Sequence, residues 1–282
     1  MAIFFLLVIV IASILIVVVF LYVSSIIGTP PKGRAVEFLE SDRPKEGRII
    51  VCIGDSLTHG NIGVCWVDSL RQEFTNDKFL NEGINGEVTW QVHQRLEPIL
   101  ACKPDIVTIM IGSNDVMASF DKNSGERYKN NNKLPEIPTF ERYKELLPEL
   151  IDRLKTVPKI AICTLPPVGE YKDSSINNHI NKFNEFIRLT AFDKNITLLP
   201  VSDLIWTELD NRTYPLKNDY DPNIFPIIRR IFGGIFHHYI FKKSWHSISK
   251  SKGQWVLFDQ VHLNERGAGV VFNLVRKYIS SN

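Results

Sequence analysis

An excess of charge of one sign is missing from this chain, which sets 33 Lys and Arg against 31 Asp and Glu over 282 residues. Nucleic acid is held by a surplus of cations gathered on one face, so this balance argues against such a partner and leaves a small or neutral ligand as the expectation. Cysteine is scarce as well. Cys52, Cys65, Cys102 and Cys163 show no Cys-x-x-Cys spacing and two lie inside apolar runs, so they read as core thiols rather than a disulfide pair. His237, His238 and His246 have no Asp, Glu or Cys at ligand spacing, which excludes a recognisable zinc site; no cofactor is expected. No internal repeat occurs, and the one short biased tract, Lys129 to Lys133 (KNNNK), reads as a solvated loop.

Charge is absent altogether from Ala2 to Val23, AIFFLLVIVIASILIVVVFLYV. As a helix this stretch is long enough to cross a hydrocarbon core of about 30 Å. A cleaved leader carries a basic start and a shorter apolar core, of about 7 to 15 residues. Residues 1–27 are therefore expected to be an uncleaved, single-pass membrane anchor in contact with lipid through residues 2–23. The Pro-, Gly- and charge-rich residues 28–47 read as a linker. Two signals disagree about which side of the membrane the remainder faces. Lys32, Arg34, Arg43, Lys45 and Arg48 all follow the span, which favours a cytosolic domain, whereas Asn195-Ile196-Thr197 and Asn211-Arg212-Thr213 are glycosylation acceptor patterns that matter only on the other side.

From Arg48 onward, apolar runs alternate with helical periodicity. Strands are expected at 48–53, 78–81, 105–111, 159–164 and 196–201. Helices are expected at 65–74, 89–101, 140–155, 174–192 and 264–278, the third kinked or delayed by Pro148 and the last capped by Asn264. This alternation predicts an α/β domain over 48–282, with a parallel sheet covered on both faces and its ligand at the carboxyl ends of the strands.

Four short patterns fall on that face. The first strand runs into Gly54-Asp55-Ser56, which exposes a serine on the turn into a helix, where a base and oxyanion donors can both reach it. The second ends in Asn81-Glu82-Gly83-Ile84-Asn85-Gly86, whose glycines allow a backbone N–H to approach a ligand. Asn114 of Gly112-Ser113-Asn114-Asp115 follows the third strand, and its amide could donate to an oxyanion or simply belong to a turn. Before the final helix, Asp259-Gln260-Val261-His262 places a carboxylate one turn ahead of an imidazole, able to fix its tautomer. His59, on the helix leading away from Ser56, reads as a rim or structural residue.

In this order, and from about Arg48 to Tyr278, the four patterns resemble the blocks of the SGNH (GDSL-type) hydrolases. The resemblance implies a flavodoxin-like three-layer α/β/α sandwich around a five-stranded parallel sheet, and a serine esterase without metal or organic cofactor. It makes Ser56 the nucleophile, His262 the base and Asp259 its orienting partner. The oxyanion hole is then the N–H of Ser56, the N–H of Gly86 and the side chain of Asn114, with Gly83 the alternative to Gly86. The expected substrate is a small-molecule carboxylic ester, a lipid or an O-acetylated carbohydrate. An acyltransferase or a silent membrane-tethered binding protein of the same fold are the competing functions.

Before Asp259 lies an insertion at about 203–255, centred on IFPIIRRIFGGIFHHYIFKKSW (Ile224 to Trp245). Three readings are open: a wall or lid over an acyl pocket, a segment lying in the membrane surface, or an extra packed helix pair broken at Gly233-Gly234.

Overall fold

The structure is a computed structural model that describes residues 1–41 and 46–282, and Ala2 by its backbone; Arg43 and Lys45, weighed above for topology, lie outside the described residues. The chain begins with α1 (Ala2–Gly28), α2 (Ala35–Glu40), β1 (Ile49–Gly54), α3 (Ser56–His59), α4 (Trp66–Glu73) and β2 (Lys78–Gly83). It continues through α5 (Thr89–Gln94), α6 (Leu96–Ala101), β3 (Ile106–Met110), α7 (Ser113–Phe120), α8 (Lys122–Asn132), α9 (Phe140–Arg153) and β4 (Lys159–Cys163). The last part is α10 (Ser175–Asp193), β5 (Thr197–Leu199), α11 (Val201–Asp210), α12 (Ile224–Tyr239), α13 (Trp245–Ser251) and α14 (Glu265–Ser280).

All five strands are parallel, in the order β2-β1-β3-β4-β5. Alternation along each strand divides the core. Val51, Ile53, Val107, Ile109 and Ile162 point to one face, under α5, α6, α9 and α10. Ile50, Cys52, Ile106, Ala161 and Cys163 point to the other, under α4, α11 and α14. Burial on both faces explains why these strands read as continuous apolar runs. The chain reverses its winding between β1 and β3, and in such sheets the crevice outside that point is where ligands bind. The expected three-layer fold is thus borne out, and Cys52, Cys65 and Cys163 are free thiols.

Several local expectations change. The helix expected over 89–101 is two helices, α5 and α6, divided at Arg95 (φ −122°). Division there places Pro98 in the first turn of α6, where its missing N–H has no helical acceptor to disappoint. Pro148, by contrast, sits inside an uninterrupted α9. The buried face Tyr143, Leu146, Leu147, Leu150 and Ile151 outweighs a proline cost of about 3 kcal/mol. Gly233 and Gly234 do not break α12; a side chain at Gly234 would collide with the Phe258 ring, so its smallness lets the helix lie on that ring. The KNNNK tract is the end of α8 rather than a loop, capped at its start by Asp121, whose side chain accepts from the Ser124 N–H.

Residues 29–41, expected within a linker, are packed against the domain. Ala35 and Phe38 of α2 are buried, and Glu82 accepts from the Ala35 N–H at 2.7 Å and from the Arg34 guanidinium at 2.8 Å. α1 is apolar throughout and, by length and composition, able to cross a membrane. Its last turns are also built in. Val23 is 1% exposed, Phe20 stacks on Phe232 of α12 with centroids 5.3 Å apart, and Asn61 and Asn85 donate to the carbonyls of Ile26 and Ile27 at 2.6 and 2.8 Å.

Candidate active site

β1 is buried along its whole length and ends at Gly54; the chain then turns at Asp55 into α3. Asp55 caps that helix, its Oδ1 accepting from the Leu57 N–H at 2.9 Å. Ser56 is therefore the first helical residue, whose N–H has no helical carbonyl within reach. Burial pushes the Asp55 carboxyl up to about 7, against the pull of the Leu57 N–H and of His262.

The opposite partner arrives on the loop before α14. His262 Nε2 lies 2.9 Å from Ser56 Oγ, and His262 Nδ1 lies 2.7 Å from Asp259 Oδ2. Asp259 Oδ1 accepts from the backbone N–H groups of Val261 and His262 at 3.0 and 2.7 Å. Burial alone would raise the Asp259 carboxyl, but the facing His262 and these hydrogen bonds hold it below its ordinary value. An ionised Asp259 can only accept, so Nδ1 carries the imidazole proton and Nε2 is left to accept from the Ser56 hydroxyl. Between the two residues Gln260 has φ +80°, a left-handed conformation that few side chains adopt. It is held there from both sides: its amide donates to Asp219 O at 2.5 Å, and its carbonyl accepts from the Gly169 N–H at 2.6 Å.

From the neighbouring strand, β3, the chain delivers Asn114 in the first turn of α7. Its Nδ2 donates to Glu87 O at 2.9 Å and, at a longer 3.3 Å, to Asp55 Oδ2; its Oδ1 accepts from the Tyr128 hydroxyl at 2.8 Å. A carbonyl oxygen cannot donate, so Glu87 O fixes which end of the amide is nitrogen. The two glycines left open by the sequence separate clearly. A Cβ on Gly83 would stand 2.2 Å from the His59 N, so Gly83 is a packing position beneath the turn that carries Ser56. Gly86, at φ +76°, where a Cβ would meet only Asn132 Oδ1 at 3.9 Å, lines the pocket with Ser56. His59 lines no part of that pocket and is buried, its imidazole pushed down to about 4 by burial, which suits the expected structural role.

Ser56, Gly86, Asn114 and His262 face a pocket of about 310 Å³, within the range of small-molecule sites. Ile62, Met117 and Val261 line it, joined by Ile224, Ile227 and Ile231 from α12 and by Ile27 from the end of α1. The insertion is thus one wall of the pocket. A larger cleft of about 520 Å³ lies beyond α12, among Arg229, Arg230, His237 and Lys252, but holds none of the residues just named around Ser56.

Three contributors were not legible beforehand. Tyr128 had no motif around it and lay in a stretch without helical signal. Ile27 is the last residue of the expected anchor, where nothing distinguishes it from the isoleucines before it. Glu170, in the loop after β4, has a fully buried carboxylate that accepts from the N–H groups of Trp255, Val256 and Leu257 at 2.8 to 2.9 Å and from Arg212 at 3.0 Å. Nothing in the local pattern marked it, an acid in the loop seven residues past β4.

Asp115, beside Asn114, is a buried carboxylate accepting from the Thr89 N–H and hydroxyl at 3.0 and 3.1 Å, and burial pushes it up to about 6. A carboxyl raised in the folded state gives stability that is present in full below its unfolded value and is lost as pH rises through about 6. Asp115→Asn removes that dependence, so its urea midpoint relative to the parent is expected to improve between pH 4 and pH 7. A constant difference across that range would assign the stabilising role elsewhere.

The family model of the GDSL-like lipases and acylhydrolases matches residues 52–270, from within β1 into α14. Similar solved structures include a variant of an acetyl-xylooligosaccharide esterase from Geobacillus stearothermophilus, at 19% identity and TM-score 0.58, covering 84% of this chain and 96% of that one. An acetylxylan esterase from the same organism aligns at 18% and 0.57, covering 84% and 96%. An alpha/beta hydrolase from the metagenome of Lake Arreo, Spain, aligns at 18% and 0.56, covering 83% and 95%. At these identities the likeness speaks for the fold. Comparison with curated proteins gives no match. The family match over most of the domain, on a sheet that carries a serine at its switch point, leads to one assignment: the chain belongs to the GDSL-like lipase/acylhydrolase family and is a serine carboxylic ester hydrolase.

Proposed function

We propose that this protein is a membrane-anchored esterase working through Ser56, His262 and Asp259, with the oxyanion bound by the N–H groups of Ser56 and Gly86 and by Asn114 Nδ2. The carrying observation is the continuous relay from Ser56 Oγ to His262 Nε2, at 2.9 Å, and from His262 Nδ1 to Asp259 Oδ2, at 2.7 Å. Ser56 Oγ attacks the ester carbonyl while Nε2 takes its proton, and Asp259 stabilises the imidazolium that results. The tetrahedral oxyanion takes the N–H groups of Ser56 and Gly86 and Asn114 Nδ2, which gives up its longer bond to Asp55 Oδ2 for it, and Nε2 then returns the proton to the departing alcohol. Water, deprotonated by the same nitrogen, releases the acid from the acyl-enzyme.

One observation supports anchoring by α1 over a leader that is cut away. None of the apolar window within Ile3–Gly28 is buried in protein, which suits either role. The end of the same helix is hydrogen-bonded into the domain through Asn61 and Asn85, contacts that cleavage would discard.

The test is covalent. A fluorophosphonate probe on the full-length chain is expected to label the parent and not Ser56→Ala; equal labelling of both would remove Ser56 from the nucleophile's role. Asn114→Ala is expected to keep the fold and lower kcat by about 10²- to 10³-fold with little change in KM, the loss of one oxyanion donor. A rise in KM at unchanged kcat would mean that Asn114 only binds substrate.

A further inference from the structure

The end of α1 is a wall of the catalytic pocket. Ile27 lines the same space as Ser56 and His262, and Ile224, Ile227 and Ile231 of α12 line it too. The contact between the two helices is continuous. Val23 is buried among Ile62, Ile235 and Trp245, with Val19, Ile26 and Phe232 packed around that cluster, and the Tyr239 hydroxyl donates to Asn61 O at 3.1 Å beside the residue's own bond to α1.

The rise of an α-helix converts this contact into depth. At about 1.5 Å per residue, Phe20 lies about 27 Å along α1 from Ala2, at the far edge of a hydrocarbon core about 30 Å thick. Its stacking partner, Phe232, therefore holds α12 at the membrane surface. Ile27 stands about 10 Å further on, in the headgroup layer, and with it stands the pocket. The side of α12 that turns neither to the pocket nor to the domain carries Phe225 and Ile228, which are 82% and 43% exposed and share a helix face with Phe232, the residue stacked on Phe20. Apolar side chains held against a bilayer in this way are favourable, whereas in water they would be an exposed patch.

We infer that the enzyme draws its substrate from the lipid layer that holds its own anchor. The substrate class is a membrane amphiphile whose ester carbonyl lies at headgroup depth and whose acyl chain passes between Ile27 and the isoleucines of α12. This rests on the ester-hydrolase and anchor readings above. Lateral entry needs no complete extraction of the chain into water, which would cost about 0.8 kcal/mol for each methylene exposed.

The experiment uses the full-length protein in phosphatidylcholine vesicles that carry a fluorogenic long-chain glycerolipid ester, either in the same vesicles as the enzyme or in separate enzyme-free ones. A short, water-soluble acetate ester is the internal reference. Hydrolysis in the shared vesicles is expected to exceed that in separate vesicles by about ten-fold or more, because co-residence raises the effective concentration. Ile27→Trp, which fills the space between the two walls, is expected to slow the lipid by about ten-fold more than it slows the acetate. Equal rates on shared and separate vesicles, or no lipid hydrolysis while the acetate is turned over, would overturn the inference. Failure on both esters would instead overturn the hydrolase reading beneath it.

Discussion

Ser56→Ala, His262→Ala and the double variant are all expected to lose nearly the same activity, about 10⁴- to 10⁶-fold in kcat. The reason lies in the 2.9 Å contact between Ser56 Oγ and His262 Nε2. A serine hydroxyl is a poor nucleophile until a base removes its proton in the transition state, and the base has nothing to do once the hydroxyl is gone. The two side chains act as one unit, so removing the second costs little more than removing the first. The small remaining rate over uncatalysed hydrolysis would come from binding and the oxyanion donors. Steady-state kinetics on a short ester, with circular dichroism to show that each variant is folded, decide the matter. If the losses were instead independent, the double variant would multiply them, and the relay would have to be abandoned.

Glu170→Ala is expected to have the largest effect on stability, on the order of 4 kcal/mol. The carboxylate is fully buried and satisfies three consecutive backbone N–H groups, those of Trp255, Val256 and Leu257, while neutralising Arg212. Burial pushes its carboxyl upward against the pull of those donors, so its contribution is that of a filled acceptor set rather than of a free charge. Alanine would orphan all the donors together, in a protein whose whole stability is about 5–15 kcal/mol. The stretch it holds pairs with the catalytic loop, Leu257 bridging to Leu263 and Phe258 N–H donating to His262 O at 3.0 Å. The variant should therefore unfold at much lower urea, and what folds should have a displaced His262 and a lowered kcat. Glu170→Gln, which keeps one accepting oxygen, should fall between. An unchanged midpoint in the alanine variant would mean that water replaces the carboxylate without cost.

What the sequence made legible follows the range of the interactions involved. Ser56, Asn114 and the Asp259–His262 pair each sit within a few residues of a strand end or helix start, so local pattern placed them on one face before any contact was known. Asn264 could be read as a cap for the same reason, and its side chain accepts from the Arg266 and Gly267 N–H groups as a cap should. Contributors defined by contacts far along the chain were hidden. Glu170 meets Trp255 across 85 residues. Ile27 acquires its place only when α1 docks. The helix α8 was missed because its asparagines have low helix propensity; what holds it is its cap at Asp121 and the bond from Tyr128 to Asn114, neither visible in composition.

Gly54 and Gly83 face each other in register on β1 and β2, directly beneath the turn that carries Ser56. A Cβ at Gly54 would stand 2.1 Å from Thr58 Oγ1 and 2.7 Å from Met110 O, and at Gly83 the nearest atoms are backbone, which cannot step aside. Neither residue lines the pocket, yet any larger one would push against α3 and shift Ser56 relative to His262. A saturation scan scored by activity alone would rank both positions beside Ser56. The two classes would part only in the amount of folded protein recovered: normal for changes at Ser56, depleted for changes at the paired glycines.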